Sequence, residues 1–288
     1  MDIEIKQPDI KDIQKVILSI YKEIKKVCDE NNIRFYAIGG TCIGAARHQG
    51  FIPWDDDLDI AMPNKDYERF LALAPKMLPE HLGIVSVPST NHGLDVIMRV
   101  YDKNTALIKH VDKNFPDCYI GVLVDIMPLY GAPSDKEEQN KLCKNIRWCM
   151  RMNEKKRRPF SSCKRLSSKV FWLASRPIQW FVSKDHWTNR WCKLVSKNDF
   201  DSSDYTGYLW RGTSTPKLIF PKEWFATSVD LPFEDTTMRC PVGYHEYLTQ
   251  QFGDYMQLPP KEEQVGKHEG INDLEHSYLD YVRKFSNK

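Results

Sequence analysis

Four carboxylates fall within five residues at Asp55-Asp56-Asp57-Leu58-Asp59, directly after Gly50-Phe51-Ile52-Pro53-Trp54. Two like charges ~4 Å apart repel by about 4 kcal/mol at an effective dielectric of about 20. A chain that keeps such charges together is read as holding a divalent cation. Gly39-Gly40-Thr41 lies a short distance upstream. Glycine lets backbone approach a phosphate, and a helix N-terminus attracts an anion. Metal beside a glycine turn points to phosphate chemistry.

Side chains at i and i+2 of a strand share a face, so Asp57 and Asp59 project together while Leu58 and Ile60 face a core. An oxygen-rich Mg²⁺ site needs a third acid from a neighbouring strand. Asp125 is the candidate, because it ends the apolar run Ile120–Val124, where a lone acid would be costly. A helix N-cap or a paired core acid is the alternative for Asp125. Asp55, Asp57 and Asp59 also match positions 1, 3 and 5 of a calcium loop. Position 6 is Ile60 rather than Gly and position 12 is Asp66 rather than Glu, which argues against that loop.

The elements that would hold these residues follow from periodicity. After Pro8, Ile10, Ile13, Ile17, Ile20, Ile24 and Val27 recur at steps of three and four, one face of a helix that Asn31-Asn32 can stop. Ile33–Ile38 reads as a strand, Thr41–His48 as a short helix, Leu58–Met62 as the next strand and Lys65–Leu78 as a helix. Ile84–Val87, Val96–Val100 and Ile120–Ile126 read as further strands, and Pro128 with Gly131–Asp135 as a loop. Residues 136–198 read as helices rich in Trp and basic residues. The class is therefore α+β, a small mixed sheet flanked by helices with a basic helical insert. The expected division is a catalytic core over 1–135, the insert over 136–200 and a C-terminal segment over 201–288.

The 288 residues carry a net charge of only +2, but 15 Lys/Arg face two acids between Lys141 and Lys193. That asymmetry suggests a polyanionic surface or substrate near the segment. Phe171, Trp172, Leu173, Ile178, Trp180, Phe181 and Val182 interleave with these charges. A basic amphipathic helix with Trp can lie on an anionic membrane; a helical subdomain filling its own core is the alternative. No RRM, KH or helix-turn-helix signature is present, so no nucleic-acid partner is expected. The eight cysteines form no C-x-x-C pair, and no run of 18 apolar residues occurs. With an N-terminus lacking a basic and apolar leader, a cytoplasmic chain with reduced thiols is expected.

The segment GGTCIGAARHQGFIPWDDDLDIAM, residues 39–62, resembles the signature of the LicD family, phosphocholine and phosphoalcohol transferases with a nucleotidyltransferase fold, related to fukutin-related protein. Asp66-Tyr67-Glu68-Arg69-Phe70 is similar to its DY-x-R-F segment and Val124–Leu129 to its DIFPL segment. Phe233-Glu234, Pro241-Val242, Tyr247-Leu248 and Phe252–Pro260 resemble its C-terminal block. The resemblance implies transfer of a phosphoalcohol from a CDP-linked donor to a hydroxyl of a cell-surface glycan or its lipid-linked precursor, with CMP leaving. The glycan classes implied are lipopolysaccharide, teichoic acid and capsule.

Asp57, Asp59 and Asp125 would hold Mg²⁺ (or Mn²⁺) and carry catalysis. Gly39, Gly40, Thr41, Arg47, His48, Trp54, Asp55, Arg99 and His268 would bind substrate. Arg99, in RVYD 99–102, stands where the family often has Lys, with Thr105 nearby. An aromatic face at Trp54 would attract a quaternary ammonium, with Tyr208, Trp210 and Tyr255 as further walls. Choline is the leading alcohol, with glycerol and ribitol as alternatives. A true nucleotidyltransferase and a noncatalytic membrane-surface adaptor are the other readings. Peripheral membrane contact through 141–193, at the inner face, would suit a lipid-linked acceptor.

Overall fold

The structure is a computed structural model that describes residues 8–86, 97–110, 115–157, 160–163, 165–183, 185–210, 215–266 and 270–286. In chain order the elements are α1 (Ile10–Glu30), β1 (Tyr36–Ala37), α2 (Gly39–Ile43), a π-helical turn (Gly44–His48), β2 (Asp59–Pro63), α3 (Asn64–Met77), β3 (Leu82–Val85), β4 (Met98–Asp102), β5 (Ala106–Lys109) and β6 (Leu123–Ala132). They continue with α4 (Lys136–Arg157), α5 (Leu166–Trp180), α6 (His186–Val195), β7 (Tyr205–Gly207), β8 (Ile219–Pro221), β9 (Ser228–Phe233), β10 (Thr236–Pro241), α7 (Tyr244–Phe252), β11 (Gly270–Asp273) and α8 (Tyr278–Ser286). The class is α+β, as expected.

The chain divides into two units. The first comprises Met1–Ser86, Ile97–Pro128 and Glu223–Lys288. Its sheet runs β1-β2-β6-β4-β3. β1 pairs antiparallel with β2, and β4 pairs antiparallel with both β3 and β6. β5 pairs antiparallel with β11, and β9 with β10 form a hairpin. Asp9 caps α1 by accepting from the Lys11 N–H at 2.8 Å. The helix then buries Ile13, Ile17, Ile20, Tyr21, Ile24 and Val27, the stripe its spacing requires. α1 packs against α3 and β4, and Leu58, Ile60, Met62, Val100, Val124 and Ile126 of the strands are buried as well. Burying each such aliphatic side chain contributes about 1.5–3 kcal/mol.

Three sequence expectations change. The strand expected over Ile33–Ile38 pairs only at Tyr36–Ala37. Beyond it Asp59 is already engaged: its carbonyl accepts from Ile38 N and its N–H donates to Thr41 Oγ1. Gly39 and Gly40 form the first turn of α2 rather than a loop before it. The loop expected at Pro128 and Gly131 is the second half of β6, which runs to Ala132. Proline lacks a donor, and Pro128 falls between two described ladders. The ladder with β4 ends at Ile126, and the ladder with β7 begins at Tyr130.

The second unit comprises Val87–Val96 and Leu129–Lys222. Its core gathers Leu142, Cys143, Ile146, Cys149 and Met152 from α4 with Trp187, Trp191 and Val195 from α6. Trp191 Nε1 donates to Leu209 O at 2.7 Å, satisfying its buried indole. Tyr208, offered above as a cage wall, is buried edge-on against Phe220 in this unit. None of the eight cysteines is in a disulfide. Among the described residues no helix is long and apolar enough to cross a membrane.

Candidate active site

The acidic loop is held from three sides within the first unit. From α1, Gln14 Nε2 donates to Asp55 O at 2.8 Å and Ile52 O at 3.3 Å. From the turn between β9 and β10, Glu234 Oε1 accepts from Phe51 N at 3.0 Å, and Glu234 N donates to Gln49 O at 2.9 Å. From α2, buried Thr41 accepts the Asp59 N–H at 2.8 Å. The expected alternation appears: Asp57 and Asp59 are half-buried while Leu58 and Ile60 are buried.

The glycine pair has a first task inside the protein. A Cβ on Gly40 would stand 2.7 Å from Asp55 Oδ2, and one on Gly39 3.8 Å from Asp59 Oδ2. Gly39 also has φ +55°, a conformation that favours glycine. Its N–H donates to the Tyr247 hydroxyl at 2.8 Å. Gly40 thus makes room for the Asp55 carboxylate, whereas Gly39 is called for by its backbone conformation.

Asp56, Asp57 and Asp125 line one cavity of about 20 Å³, together with Asn272, Lys109, Leu107, Val122, Leu123 and Ile13. That volume suits a single water-sized occupant. Asp125 arrives there because its N–H donates to Leu58 O at 3.1 Å, which ties β6 to the acidic loop. Its Oδ1 accepts from Arg99 Nε at 2.9 Å, with both side chains 17% exposed. Arg99 and Asp125 are direct cross-strand partners. Asp59 does not line this cavity but lies against the glycine turn with Asp55.

Asn272 and Lys109 were missed by sequence reasoning. Asn272 is 7% exposed, and its Oδ1 has no hydrogen-bond partner among the described residues. A buried unsatisfied carbonyl oxygen costs about 1–3 kcal/mol. It is positioned by its neighbour Asp273, whose carboxylate accepts from Glu275 N (2.8 Å), His276 N (3.1 Å) and the Tyr281 hydroxyl (2.6 Å). Burial acts to raise the Asp273 carboxyl, but these bonds outweigh it and hold it below the ordinary range. A lone Asn between Ile271 and Asp273 carries no sequence signal; only the pairing of β11 with β5 brings it here.

Arg47 and His48 end the π-helical turn. Arg47 Nη1 donates to Tyr255 O at 2.6 Å and Gln257 O at 3.1 Å, and its Nε donates to His48 Nε2 at 2.9 Å. Arg47 therefore pins the 255–257 segment. Burial lowers the His48 pKa, and the Arg47 charge lowers it further, so the ring is neutral at pH 7. The ring lies edge-on to half-buried Trp54, 6.3 Å between centroids. Tyr255 is buried, with its hydroxyl 3.0 Å from His245 Nδ1. Asp66, position 12 of the calcium-loop reading, is buried in α3 and paired with Arg34 (2.6 Å) and Arg69 (2.9 Å), so it is committed elsewhere. Thr105 donates to Asp102 O and accepts the Val122 N–H. His268 lies outside the described residues.

Residues 32–130 match the family model described as LicD/FKTN/FKRP, nucleotidyltransferase domain. Over 280 residues the chain is 28% identical to the lipopolysaccharide cholinephosphotransferase LicD of Haemophilus influenzae, spanning 91% of this chain and 97% of that one. The chain is thus similar to the LicD family, by the family model over about a third of its length and by one relative over most of it. Shorter stretches are similar to uncharacterized Rickettsia proteins: 41% identity over 66 residues in R. typhi and 40% over 72 residues in R. prowazekii, covering 21% and 26% of those chains. The LicD-type span contains the glycine pair, the acidic loop, Arg99 and Asp125, whereas Asn272 lies beyond it.

A divalent cation fits this LicD-type site by donor chemistry. The carboxylates and the orphaned Asn272 oxygen are hard oxygen donors around an ion-sized space. Among the described residues no three His, Cys, Asp or Glu side chains close on a common point. Mg²⁺ tolerates this, since it keeps several waters and takes further ligands from substrate phosphates.

Proposed function

We propose that this protein transfers phosphocholine from CDP-choline to a hydroxyl of a cell-surface glycan or its lipid-linked precursor, releasing CMP in a Mg²⁺-dependent reaction. Similarity to a cholinephosphotransferase over most of the chain supports a transferase of phosphate-containing groups. Donor, alcohol and metal are the proposal. One observation carries it: Asp57 and Asp125, from the acidic loop and from β6, line one ion-sized cavity.

In this reading the acceptor hydroxyl oxygen attacks the phosphorus bearing choline. The bond from that phosphorus to the bridging oxygen breaks, and CMP leaves with the electron pair. Asp57 and Asp125 would hold Mg²⁺, which when bound neutralises charge on the diphosphate, while Asp59 lies against the glycine turn outside their cavity. Asn272 Oδ1 supplies a further neutral oxygen. Arg99 fixes the Asp125 carboxylate, and an Asp at the cavity rim takes the proton from the acceptor hydroxyl. Trp54 presents an aromatic face suited to a quaternary ammonium. Positioning and charge neutralisation carry most of the catalysis in phosphoryl transfer. A lipid-linked acceptor would require the enzyme to work at a bilayer surface.

The donor is tested by thermal shift with Mg²⁺ and CDP-choline, CDP-glycerol or CDP-ribitol. A ligand at about 100 times its Kd stabilises the native state by about 2.7 kcal/mol. CDP-choline is expected to give the largest shift. A larger shift with either of the other donors would replace choline by that alcohol, and pyrophosphate release from an NTP would replace the reaction.

A further inference from the structure

Within the second unit, α5 has inverted polarity. Its inward positions are Ser175 and Gln179. Gln179 Nε2 donates to Met152 O at 2.9 Å, and its Oε1 accepts from Trp187 Nε1 at 3.1 Å. Ser168 accepts from Lys155 Nζ at 2.9 Å. Its outward positions are apolar: Leu166 is 77% exposed, Trp180 79% and Phe181, just past the helix, 89%, with Val170, Leu173 and Ile178 also exposed. Leu166, Val170, Leu173, Pro177 and Phe181 recur at steps of three and four, which puts them on one stripe. A helix packed only for water would turn this stripe inward. A continuous exposed apolar face of this kind marks a binding surface.

The charge around the stripe identifies what covers it. Nine Lys/Arg and no Asp/Glu occur from Lys155 to Lys184. Lys144, Arg147, Arg151, Lys155 and Arg165 line a cleft of about 820 Å³ in which Glu154 is the one acid. Arg165 and Ser167, at the start of α5, lie in that cleft's wall, so cleft and stripe adjoin. Arg151 stacks on Phe171 at 3.6 Å and Arg176 on Trp172 at 3.5 Å, which keeps cationic heads beside the aromatic rings. A second copy of this chain would bring the same cations against these, which repel. An anionic surface does not. Tryptophan at a helix end also suits the headgroup region of a bilayer.

We propose that α5 and Phe181 form a foot lying in the plane of an anionic bilayer. The apolar stripe enters the acyl boundary, and the basic cleft takes lipid headgroup phosphates. This holds whichever alcohol is transferred. The full chain is tested by co-sedimentation with vesicles of phosphatidylglycerol and phosphatidylcholine, and with phosphatidylcholine alone. Binding is expected only to the anionic vesicles, weakening by at least about tenfold as salt rises from ~0.05 to ~0.5 M. The double variant L173E/F181E alters exposed side chains. It is expected to lose at least about tenfold in vesicle partitioning, with an unchanged melting temperature and unchanged CMP release on a soluble acceptor. Three results would overturn the proposal: wild type left in the supernatant with both vesicles, L173E/F181E binding as wild type does, or a dimer that L173E/F181E dissolves in a protein that binds no vesicle.

Discussion

At the residue scale, the site is a set of hard oxygens. One of them, Asn272 Oδ1, is buried without a partner among the described residues and lines the same cavity as Asp57 and Asp125. If a cation or its water satisfies that oxygen, Asn272 costs stability in the metal-free protein and supports activity in the loaded one. N272L is therefore expected to unfold at the same or a higher temperature without Mg²⁺, since an apolar replacement removes the desolvation penalty. It is also expected to need more Mg²⁺ for half-maximal CMP release; a calorimetric scan and a Mg²⁺ titration read the two effects. His48 gives a pH signature. Its pKa is lowered in the native state by burial and then by Arg47. The unfolded chain thus binds the proton more readily. The stabilisation is present above about pH 6.5 and is lost as pH falls through the lower native value. Melting curves should show wild type losing more stability than H48Q between about pH 7.5 and pH 5. Equal losses would remove the neutral, Arg47-bonded ring. The acids and the glycines were legible in the sequence because type and spacing carry their chemistry; Arg99 stood out only through the family resemblance. Asn272 and Lys109 were not, since a lone side chain from a distant strand has no local pattern.

At the element scale, period-two alternation correctly placed Asp57 and Asp59 opposite Leu58 and Ile60, and period 3.6 correctly gave α1 its buried stripe. What holds the acidic loop was not legible. Gln14 reaches it from α1, and Glu234 reaches it from a hairpin turn far along the chain. Phe233-Glu234 stood out only as part of a resemblance, with no physical role attached. β6 was cut short because Pro128 reads locally as a strand breaker, whereas the strand changes ladder partners around it. E234A removes one part-buried charge-assisted bond to Phe51 N. The expected loss of stability is about 1.5–3 kcal/mol by urea unfolding. The expected loss of CMP release is larger than that stability change implies at room temperature, because the loop's position is what changes. A variant with wild-type activity would show that the hairpin clamp does not position the acids.

At the scale of the whole molecule, charge is segregated. The Lys141–Lys193 segment carries most of the excess positive charge, and it belongs to the second unit. Its helices were legible from composition and period. The polarity of α5 was not, because an amphipathic pattern does not say which face points inward. Only Ser175 and Gln179 found buried, with Leu166, Trp180 and Phe181 exposed, decides that. The pairing of β5 with β11 was likewise hidden, since both strands are four residues long and far apart in sequence. The central claim concerns the first unit, where carboxylates from separate segments serve one cation and one donor. It is tested most directly by CMP release from CDP-choline with Mg²⁺ in D57N and D125N, each checked for a native melting curve. Both should lose at least about 100-fold in rate; near-wild-type turnover in either variant, correctly folded, would remove that carboxylate from the chemistry and the shared cation with it.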